Sequence, residues 1–398
     1  MKVLFLTDSL SDLDGVGRYS MRLIRALEVE RADLEVHVLL ARKHRPTSDQ
    51  VPDHWKVQVA LPPDYFYYMT PARYWFWRIW GTLRTLWAGR DADLIHAIKD
   101  FPHSQLATDA GRILRKPVVA TAHGTYTIQP LIAERHRDRA RKTALAVDRI
   151  IAVSAYTRRL LCQHMEGTGF DENKVSVVHN CVAADRYVDS PAIGPRPWHG
   201  GPFSLAIGEI KERKGHHLWL EAWIRMSTEF PDWKHFVVGR LSGDEYQTRL
   251  EGLVRAAGLQ DRVFFLGNVS EAEKIDLLQR AEIFVHTPVT AADGGFEGFG
   301  IVYLEASAAG TACLGTNDSG AEDAVLDGRT GLLVDQSVPA ITDALRRLMG
   351  DDALRAQMGA AGREFARSMS WQKNGRRCWA CTASFGRSRC GSFPVRDP

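Results

Sequence analysis

The chain has 398 residues, which is enough for two domains with a hydrophobic core each. Hydrophobic residues make up 45% of it, charged residues 25%, and the net charge is only +3, so nothing favours bulk attraction to nucleic acid. No apolar run reaches the length of a membrane-spanning helix, and the one at the start is too short for a secretory signal. We therefore expect a cytoplasmic protein.

The first half of the chain alternates short apolar runs with helical patterns. Strands are predicted at Val3–Thr7, Val36–Leu40, Leu94–His96, Val118–Ala122, Ile150–Val153 and Val175–Val178. The helical patterns between them include Arg18–Leu27, Ser104–Leu114 and Tyr156–His164. Apolar strands that alternate with helices favour an α/β fold, in which helices cover both faces of a parallel sheet.

A break in this rhythm lies at Asp189–Pro202, where four prolines and three glycines fall within fourteen residues. This composition is typical of an interdomain linker. We therefore predict a first domain over 1–188, a linker over 189–202, a second domain over 203–371 and an atypical tail over 372–398. Within the tail, Cys378–Pro398 shows no clear period, and we expect it to be poorly ordered or to have lost an original helix.

The second half repeats the alternation. Strands are predicted at Ser204–Ile207, His235–Val238, Val263–Leu266, Ile283–His286, Ala312–Leu314 and Leu332–Val334. Helices are predicted at His216–Glu229, Glu245–Ala257, Glu271–Arg280, Ile301–Ala309 and Pro339–Met349. Two doubly wound domains would face each other across a cleft, and ligands in such folds bind beyond the carboxyl ends of the strands.

The most informative motif is GGFEGFGIVYLEA, Gly294–Ala306, which follows a predicted strand. A glycine-rich loop that leads into a helix points backbone N–H groups at an anion. Glu297 and Glu305 lie eight residues apart, which would be about 12 Å if both were helical. This is roughly the span from sugar to ribose in a nucleotide-sugar. The alternative is an acidic first turn that simply stabilises the helix.

Several motifs together resemble the retaining glycosyltransferases of family 4, which have the GT-B fold of two Rossmann-like domains. The resemblance rests on the Glu-x7-Glu motif and on four weaker ones that follow the family order: DGVGRY (14–19), AHGTY (122–126), IGEIKERKG (207–215) and SGAEDAVLDGRTGLLV (319–334). It implies an enzyme that uses a nucleoside-diphosphate sugar as donor substrate, with no further cofactor and no bound metal. The chain has no Asp-x-Asp triplet in a suitable loop, and the CxxC of Cys378 and Cys381 has no second ligand pair.

The resemblance assigns the donor site to the second domain. Glu305 would accept hydrogen bonds from the ribose hydroxyls, and Glu297 would contact the donor sugar. The backbone amides of Gly298, Phe299 and Gly300 would line the sugar and the phosphate. Asp323 is a secondary candidate.

The loop around Lys214 is expected to bind the diphosphate, because a cation stabilises the charge that grows on the leaving group. The family usually carries an arginine where this chain has Glu209. We expect Arg213 to supply the missing charge, and Glu209 to pair with Arg213. The alternative for this loop is a solvated run of charges.

The first domain supplies two further candidates. Gly15 and Gly17 follow the first strand, where either a functional loop or a simple structural turn fits the sequence. His123 follows the strand Val118–Ala122, and the resemblance places it near the donor sugar as a catalytic group. The alternative for His123 is a side chain that only caps the strand.

An aromatic segment, Tyr65–Leu86, contains nine aromatic residues and three arginines but no acid. Thr70 and Pro71 are typical of a helix start. The apolar residues that follow have helical spacing, and basic residues also crowd Arg135–Lys142. We expect this helix to pack in the core, and contact with the inner face of a membrane or with a lipid acceptor is the alternative.

The function we expect is transfer of a sugar, with retention, from a UDP- or GDP-sugar to a glycan or lipid-linked acceptor in cell-surface polysaccharide or glycolipid synthesis. One alternative is a nucleotide-sugar-binding paralogue that has lost turnover, because Glu209 and the tail depart from the family pattern. Another is a nucleotide-sugar epimerase of the same fold, which the continuous EGFGIVYLEA block disfavours.

Overall fold

The structure is a computed structural model and describes residues 1–11, 14–41 and 49–383. The chain forms two compact units. The first unit contains residues 1–179 and a helix that begins at Trp371, and the second unit spans Asn180–Ser370.

The sheet of the first unit has seven parallel strands in the order β3-β2-β1-β4-β5-β6-β7 within the described residues. Its strands are β1 (Lys2–Thr7), β2 (Glu35–Ala41), β3 (Lys56–Leu61), β4 (Leu94–Ala97), β5 (Val118–Ala122), β6 (Arg149–Ala152) and β7 (Val175–Val177). The order reverses between β1 and β4, which makes that pair the topological switch point of the sheet.

Helices connect these strands. They are α1 (Gly15–Glu30), α2 (Pro71–Gly89), α3 (His103–Leu114), α4 (Thr125–Ile132), α5 (Glu134–Ala146) and α6 (Ala155–Met165). The strands β4 and β5 are buried along their whole length, as expected for a parallel sheet covered on both faces.

The second unit repeats this architecture with six parallel strands in the order β10-β9-β8-β11-β12-β13 among the described residues. The strands are β8 (Phe203–Ile207), β9 (Lys234–Val238), β10 (Val263–Gly267), β11 (Ile283–Val285), β12 (Ala312–Thr316) and β13 (Gly331–Val334). The helices are α7 (His216–Met226), α8 (Glu245–Ala256), α9 (Glu271–Arg280), α10 (Ile301–Ala309), α11 (Val338–Gly350) and α12 (Asp352–Ser368). The switch point lies between β8 and β11.

The predicted α/β class with parallel sheets is confirmed, and all twelve predicted strands are present. Several elements were not predicted, among them β3 and the helices α4, α5 and α12. The strand β3 lies at the edge of its sheet and is partly exposed, so it lacks the continuous apolar run of the inner strands. The helix α12 follows α11 after a single residue, Asp351, whose side chain caps α12 by accepting a hydrogen bond from the Leu354 amide at 2.8 Å.

The stretch predicted as a linker packs on the second unit. Trp198 Nε1 and His199 Nε2 both lie within hydrogen-bond distance of Asp276 on α9, at 2.7 and 2.8 Å, and Arg196 pairs with Glu273 at 2.8 Å. The boundary between the units falls after His179 instead of within Asp189–Pro202. The prolines and glycines therefore shape a packed segment.

The expectation of disorder at Cys378 is wrong for the residues that can be described. A last helix, α13 (Trp371–Ala383), packs against α1, with the Tyr19 and Trp371 rings 5.6 Å apart. Gly375 approaches α1 so closely that a Cβ atom there would lie 2.8 Å from the Ala26 carbonyl oxygen. The rest of the predicted disordered stretch, 384–398, lies outside the described residues.

The expectation that α2 packs in the core with its large apolar side chains is also wrong. Small or polar residues face inward, and Tyr74 donates a hydrogen bond to Gln105 on α3 at 2.6 Å. Five large apolar side chains are 47% to 59% exposed, namely Trp75, Phe76, Ile79, Leu83 and Trp87. Among the described residues, no helix combines the length and apolar character needed to cross a bilayer.

Candidate active site

A cluster of charged side chains lies at the switch point of the second sheet. The loop after β8 carries Lys214, and the segment after β11 carries His286 and Glu297. Lys214 Nζ donates a hydrogen bond to Glu297 Oε2, Arg213 Nη1 lies 3.8 Å from the same oxygen, and His286 Nε2 lies 3.2 Å from it. The predicted residues Arg213, Lys214 and Glu297 are thus brought together.

The Lys214 loop owes its shape to glycine. Gly215 has a φ of +66°, and a Cβ atom there would overlap the backbone of Thr287. The Thr287 hydroxyl also donates a hydrogen bond to the Gly215 carbonyl at 2.9 Å. The close approach of the two loops depends on the missing side chain and holds Lys214 beside the β11 segment.

The Glu297 carboxylate is 12% exposed and carries a perturbed pKa. Burial acts to raise the pKa of Glu297, but the charge of Lys214 and the hydrogen bond from His286 outweigh it and hold this pKa well below its usual range. The carboxylate is therefore ionised at neutral pH and accepts a hydrogen bond from the N–H of His286 Nε2. Burial also lowers the pKa of His286, so its ring stays neutral.

Glu209 does not pair with Arg213 as expected. Its two carboxylate oxygens instead lie 2.8 Å from Lys211 Nζ and 2.8 Å from Arg240 Nη2. Arg240 follows β9 and is 31 positions away in the sequence, which is why spacing gave no sign of the contact. Arg213 remains available to the Glu297 cluster.

The segment Gly298–Gly300 carries the chain from Glu297 into α10. The helix begins at Ile301, so Glu297 is not helical and the helical spacing estimated for the two glutamates does not apply. Gly300 has a φ of +79°, which favours glycine, and Phe299 is buried. The Gly320 amide donates to the Glu297 carbonyl at 2.8 Å, which places the short turn Gly320–Asp323 beside this loop.

Glu305 lies one turn into α10 and is almost fully buried. Its Oε1 accepts a hydrogen bond from Lys274 Nζ on α9 at 3.1 Å. Lys274 also lies 3.1 Å from Glu271. Sequence reasoning missed Lys274, because it stands in an ordinary charged helix and meets Glu305 only through the tertiary fold.

In the first unit, Gly15 and Gly17 form the first turn of α1. Asp14 caps this helix by accepting a hydrogen bond from the Gly17 amide at 2.8 Å, and Ser9 donates to Asp14 at 2.7 Å. A Cβ atom on Gly17 would overlap the backbone of Ser11, whereas one on Gly15 would meet open space. Close packing against Ser11 therefore requires glycine at position 17, whereas the space beside Gly15 is open.

His123 lies at the carboxyl end of β5. Its Nε2 donates to the Ile98 carbonyl at 2.8 Å, and its backbone N–H donates to Asp100 at 3.0 Å. Burial lowers the pKa of His123, so the ring is neutral at pH 7 and keeps Nδ1 as an acceptor. The Tyr19 ring packs edge-on at 4.8 Å and fixes its orientation.

Two family models match the chain. The model described as Glycosyltransferase Family 4 matches residues 13–186, and the model described as Glycosyl transferases group 1 matches residues 196–365. A phosphatidyl-myo-inositol mannosyltransferase of Mycobacterium leprae is 32% identical over 283 residues, which cover 71% of this chain and 70% of the relative. The chain belongs to glycosyltransferase family 4.

Other relatives agree with this membership. A GDP-mannose-dependent α-(1-6)-phosphatidylinositol monomannoside mannosyltransferase of Mycolicibacterium smegmatis is 28% identical and covers 74% of the chain and 75% of the relative. A D-inositol 3-phosphate glycosyltransferase of Streptomyces scabiei is 35% identical and covers 57% and 51%. This family 4 protein is a glycosyltransferase.

Solved structures show the same fold. Anabaena Alr3699/HepE in complex with UDP matches with a TM-score of 0.76 at 20% identity, covering 96% of this chain and 100% of that one. A sucrose-phosphate synthase from Thermosynechococcus elongatus matches with a TM-score of 0.73 at 19% identity, covering 98% and 100%. The predicted GT-B fold is confirmed.

Proposed function

We propose that this glycosyltransferase moves a sugar, with retention, from a nucleoside-diphosphate sugar to a lipid-linked or glycan acceptor. The observation that carries the proposal is the Lys214, Arg213 and Glu297 cluster at the switch point of the second sheet. Within the described residues, this cluster sets two cations against one carboxylate, and His286 is neutral. The excess positive charge suits a diphosphate.

Each group has a role in the proposed reaction. Lys214 and Arg213 neutralise the diphosphate as the bond from the sugar C1 to the phosphate oxygen breaks, and the amino end of α10 adds its dipole. Glu297 binds the sugar hydroxyls, and Gly298, Phe299 and Gly300 contribute backbone amides. Glu305, held by Lys274, accepts hydrogen bonds from the ribose.

The acceptor oxygen forms its bond to C1 on the face that the phosphate leaves, and the acceptor proton passes to the leaving phosphate oxygen. This step balances without a metal ion or an enzyme nucleophile, and we propose that the protein works without either. In the first unit, the neutral ring of His123 can hydrogen-bond a sugar hydroxyl, and the open space at Gly15 can admit a phosphate group at the start of α1.

The donor is proposed to be a UDP- or GDP-sugar. A structural neighbour solved with UDP-glucose supports a UDP-sugar. A relative named for GDP-mannose supports a GDP-sugar. The acceptor class is supported by relatives named for phosphatidylinositol and its mannoside.

A lipid acceptor fits the surface of the first unit. The five exposed apolar side chains of α2 form what we call the α2 face, namely Trp75, Phe76, Ile79, Leu83 and Trp87. Basic side chains of α5 adjoin it, because the Arg139 guanidinium lies 4.2 Å from the Tyr74 ring centroid and Arg135 donates to the Met69 carbonyl at 2.7 Å. An aromatic and cationic face of this kind suits an anionic lipid surface, and we propose peripheral contact with the inner membrane.

The alternative of a binding protein without turnover is not favoured, because Glu209 is neutralised by Lys211 and Arg240 and leaves Arg213 to the cluster. The test combines binding and turnover. UDP-, GDP- and ADP-sugars are screened by thermal shift, where a hundredfold excess over Kd adds about 2.7 kcal/mol to the free energy of unfolding.

Hydrolysis of the donor that stabilises the protein is then measured for the wild type and for Glu297→Gln. Glu229→Gln is the matched control, because Glu229 pairs with Arg346 on the surface of the same unit. We expect hydrolysis to fall at least a hundredfold in Glu297→Gln only. A wild type that binds a nucleotide but turns over no donor would refute the proposal.

A further inference from the structure

The proposed reaction gives no role to His286, although this side chain lies in the Glu297 cluster. His286 directly follows β11 and is buried. Its Nε2 lies 3.2 Å from Glu297 Oε2. Lys214 donates a hydrogen bond to the same oxygen, and Arg213 Nη1 lies 3.8 Å from it. A neutral donor and two cations therefore share one carboxylate.

These three groups converge on a single oxygen of Glu297. In the part of the chain that the structure describes, the hydrogen bonds and ion pairs of the Glu297 side chain all end on Oε2. Donors on Oε2 fix the position of the carboxylate, and Oε1 keeps its capacity to accept a hydrogen bond from a ligand hydroxyl. The orientation of Oε1 therefore depends on what holds Oε2.

A bound diphosphate would act differently on the cations and on the histidine. Lys214 and Arg213 are charged, so a diphosphate competes with Glu297 for both of them. His286 is neutral, because burial lowers its pKa. Its N–H group carries no net charge that a diphosphate would draw away from the carboxylate. His286 is therefore the donor that stays on Glu297 when the cations turn to the phosphates.

The position of His286 is fixed by a strand and a helix. Its backbone N–H donates to the Leu314 carbonyl on β12 at 2.9 Å, and its carbonyl accepts a hydrogen bond from the Tyr303 hydroxyl on α10. The centroid of the Tyr303 ring lies 5.3 Å from that of the His286 ring. Gly315 leaves space for this tyrosine, because a Cβ atom there would lie 2.8 Å from the Tyr303 hydroxyl oxygen. A group held in this way can orient a neighbouring side chain.

We infer that His286 is a positioning residue for the donor sugar, which acts through Glu297 and does not touch the substrate. The inference rests on the proposed function, in which Glu297 binds the sugar hydroxyls. The N–H of His286 holds Oε2 while Lys214 and Arg213 neutralise the diphosphate, and Oε1 stays turned toward the sugar. His286 therefore contributes to binding of the sugar part of the donor and not of its nucleotide part.

The test separates the two parts of the donor by isothermal titration calorimetry on the full chain. UDP-glucose is compared with UDP, and GDP-mannose with GDP. His286→Leu keeps an apolar side chain in the buried position and removes the hydrogen-bond donor. We expect it to raise Kd for the nucleotide-sugar about tenfold, because a hydrogen bond to a charged group is lost. The Kd for the matching nucleotide should stay within twofold of the wild type.

Two polar variants distinguish positioning from packing. The amide N–H of His286→Gln can reach the place of the histidine Nε2, whereas the shorter side chain of His286→Asn cannot. We expect His286→Gln to bind the nucleotide-sugar within threefold of the wild type and His286→Asn to bind it about tenfold more weakly. If His286→Leu does not fold, this pair replaces it, with unfolding curves as the check on folding.

His199→Leu is the matched control for the loss of a histidine beside a carboxylate. His199 Nε2 lies 2.8 Å from Asp276 Oδ2 in the same unit, outside the Glu297 cluster. The Kd of this variant for the nucleotide-sugar and for the nucleotide should both stay within twofold of the wild type.

Three results would overturn the inference: equal weakening of nucleotide-sugar and nucleotide in His286→Leu, no weakening of either, or equally weak binding of the nucleotide-sugar by His286→Gln and His286→Asn. A wild type that binds neither nucleotide-sugar would overturn it as well, because Glu297 would then hold no sugar. Donor hydrolysis separates this failure from that of the proposed function. A protein that hydrolyses a donor but shows none of these differences loses only the role of His286. A protein that shows them but hydrolyses no donor loses the proposed transfer and keeps that role.

Discussion

The two units share one topology and differ in the charge at their switch points. In the described residues of the second unit, Lys214 and Arg213 outnumber Glu297, whereas in the first unit Asp8 and Asp100 outnumber Lys99. Both sites place a lysine against a carboxylate at the carboxyl ends of neighbouring strands. The same topology therefore carries opposite excess charge in the loops of the two units, at the edge of the sheet where ligands of doubly wound folds bind.

The largest effect is expected at the positive site. Lys214→Met removes the cation nearest the leaving diphosphate, and we expect kcat for donor turnover to fall by about 10² to 10³. Glu209→Gln is the matched control from the same loop, and its kcat should stay within threefold because Glu209 faces Lys211 and Arg240. Steady-state kinetics measure kcat for both variants. An equal fall in kcat in both would contradict the assignment of Lys214 to the leaving diphosphate.

The units also differ in the helix that precedes the second strand of each switch point, which is β4 in the first unit and β11 in the second. In the first unit this is α2, with its exposed aromatic face, and in the second it is α9, which carries three acids. We expect Phe76→Ser with Leu83→Ser to weaken binding to anionic lipid vesicles about thirtyfold, because less apolar area enters the interface.

Vesicle co-sedimentation measures this, with Ile113→Ser on α3 as the control at an equally exposed apolar position of the same unit. Vesicles of neutral lipid should bind the wild type less than anionic ones, because the arginines beside the α2 face lose their counter-charge. Binding that the double variant leaves intact would exclude the α2 face as the contact.

A smaller effect is expected at Lys274, which holds Glu305 at 3.1 Å. Lys274→Met should raise KM for the donor about tenfold and change kcat less than threefold, because it loosens a ribose contact that forms before the reaction. A fall in kcat with KM unchanged would assign Lys274 to the chemical step instead.

The smallest expected effect is a loss of stability at acidic pH, to which a buried histidine of each unit contributes. Burial lowers the pKa of His96 in the first unit and of His216 in the second to about 3. Below pH 6.5 the unfolded chain therefore binds protons that the folded chain does not, and stability falls as the pH falls. From pH 6.5 to 5.5 each histidine should cost about 1 kcal/mol of unfolding free energy.

Urea unfolding at the two pH values measures this loss. His96→Asn should reduce the loss of unfolding free energy between pH 6.5 and 5.5 by about 1 kcal/mol, the contribution of one histidine. This holds whatever the substitution does to stability at pH 6.5. A variant with an unchanged pH dependence would show that His96 is protonated in the folded state.

Much of the fold follows from local sequence. The strand β5 occupies the predicted residues, because five consecutive buried residues form one apolar run. Glycine-framed motifs also singled out Lys214 and Glu297, which are hydrogen-bonded to each other, and their role as site residues remains a prediction.

What sequence reasoning could not provide depends on contacts between distant residues. Arg240 neutralises Glu209, His286 donates to Glu297, and Lys274 holds Glu305, each across a separation that no periodicity marks. The exposure of the α2 face was also missed, because helical spacing of apolar residues is the same for a buried and an exposed stripe.

The helix α13 gives the chain an order of assembly. Because it packs on α1, the second unit is inserted in the sequence of the first, and α1 stays uncovered until more than 370 residues have been synthesised. The second unit, continuous in sequence, can complete its core earlier. The α1 surface that receives α13 is therefore buried only after the whole second unit has been synthesised, and the nascent first unit must remain soluble without α13.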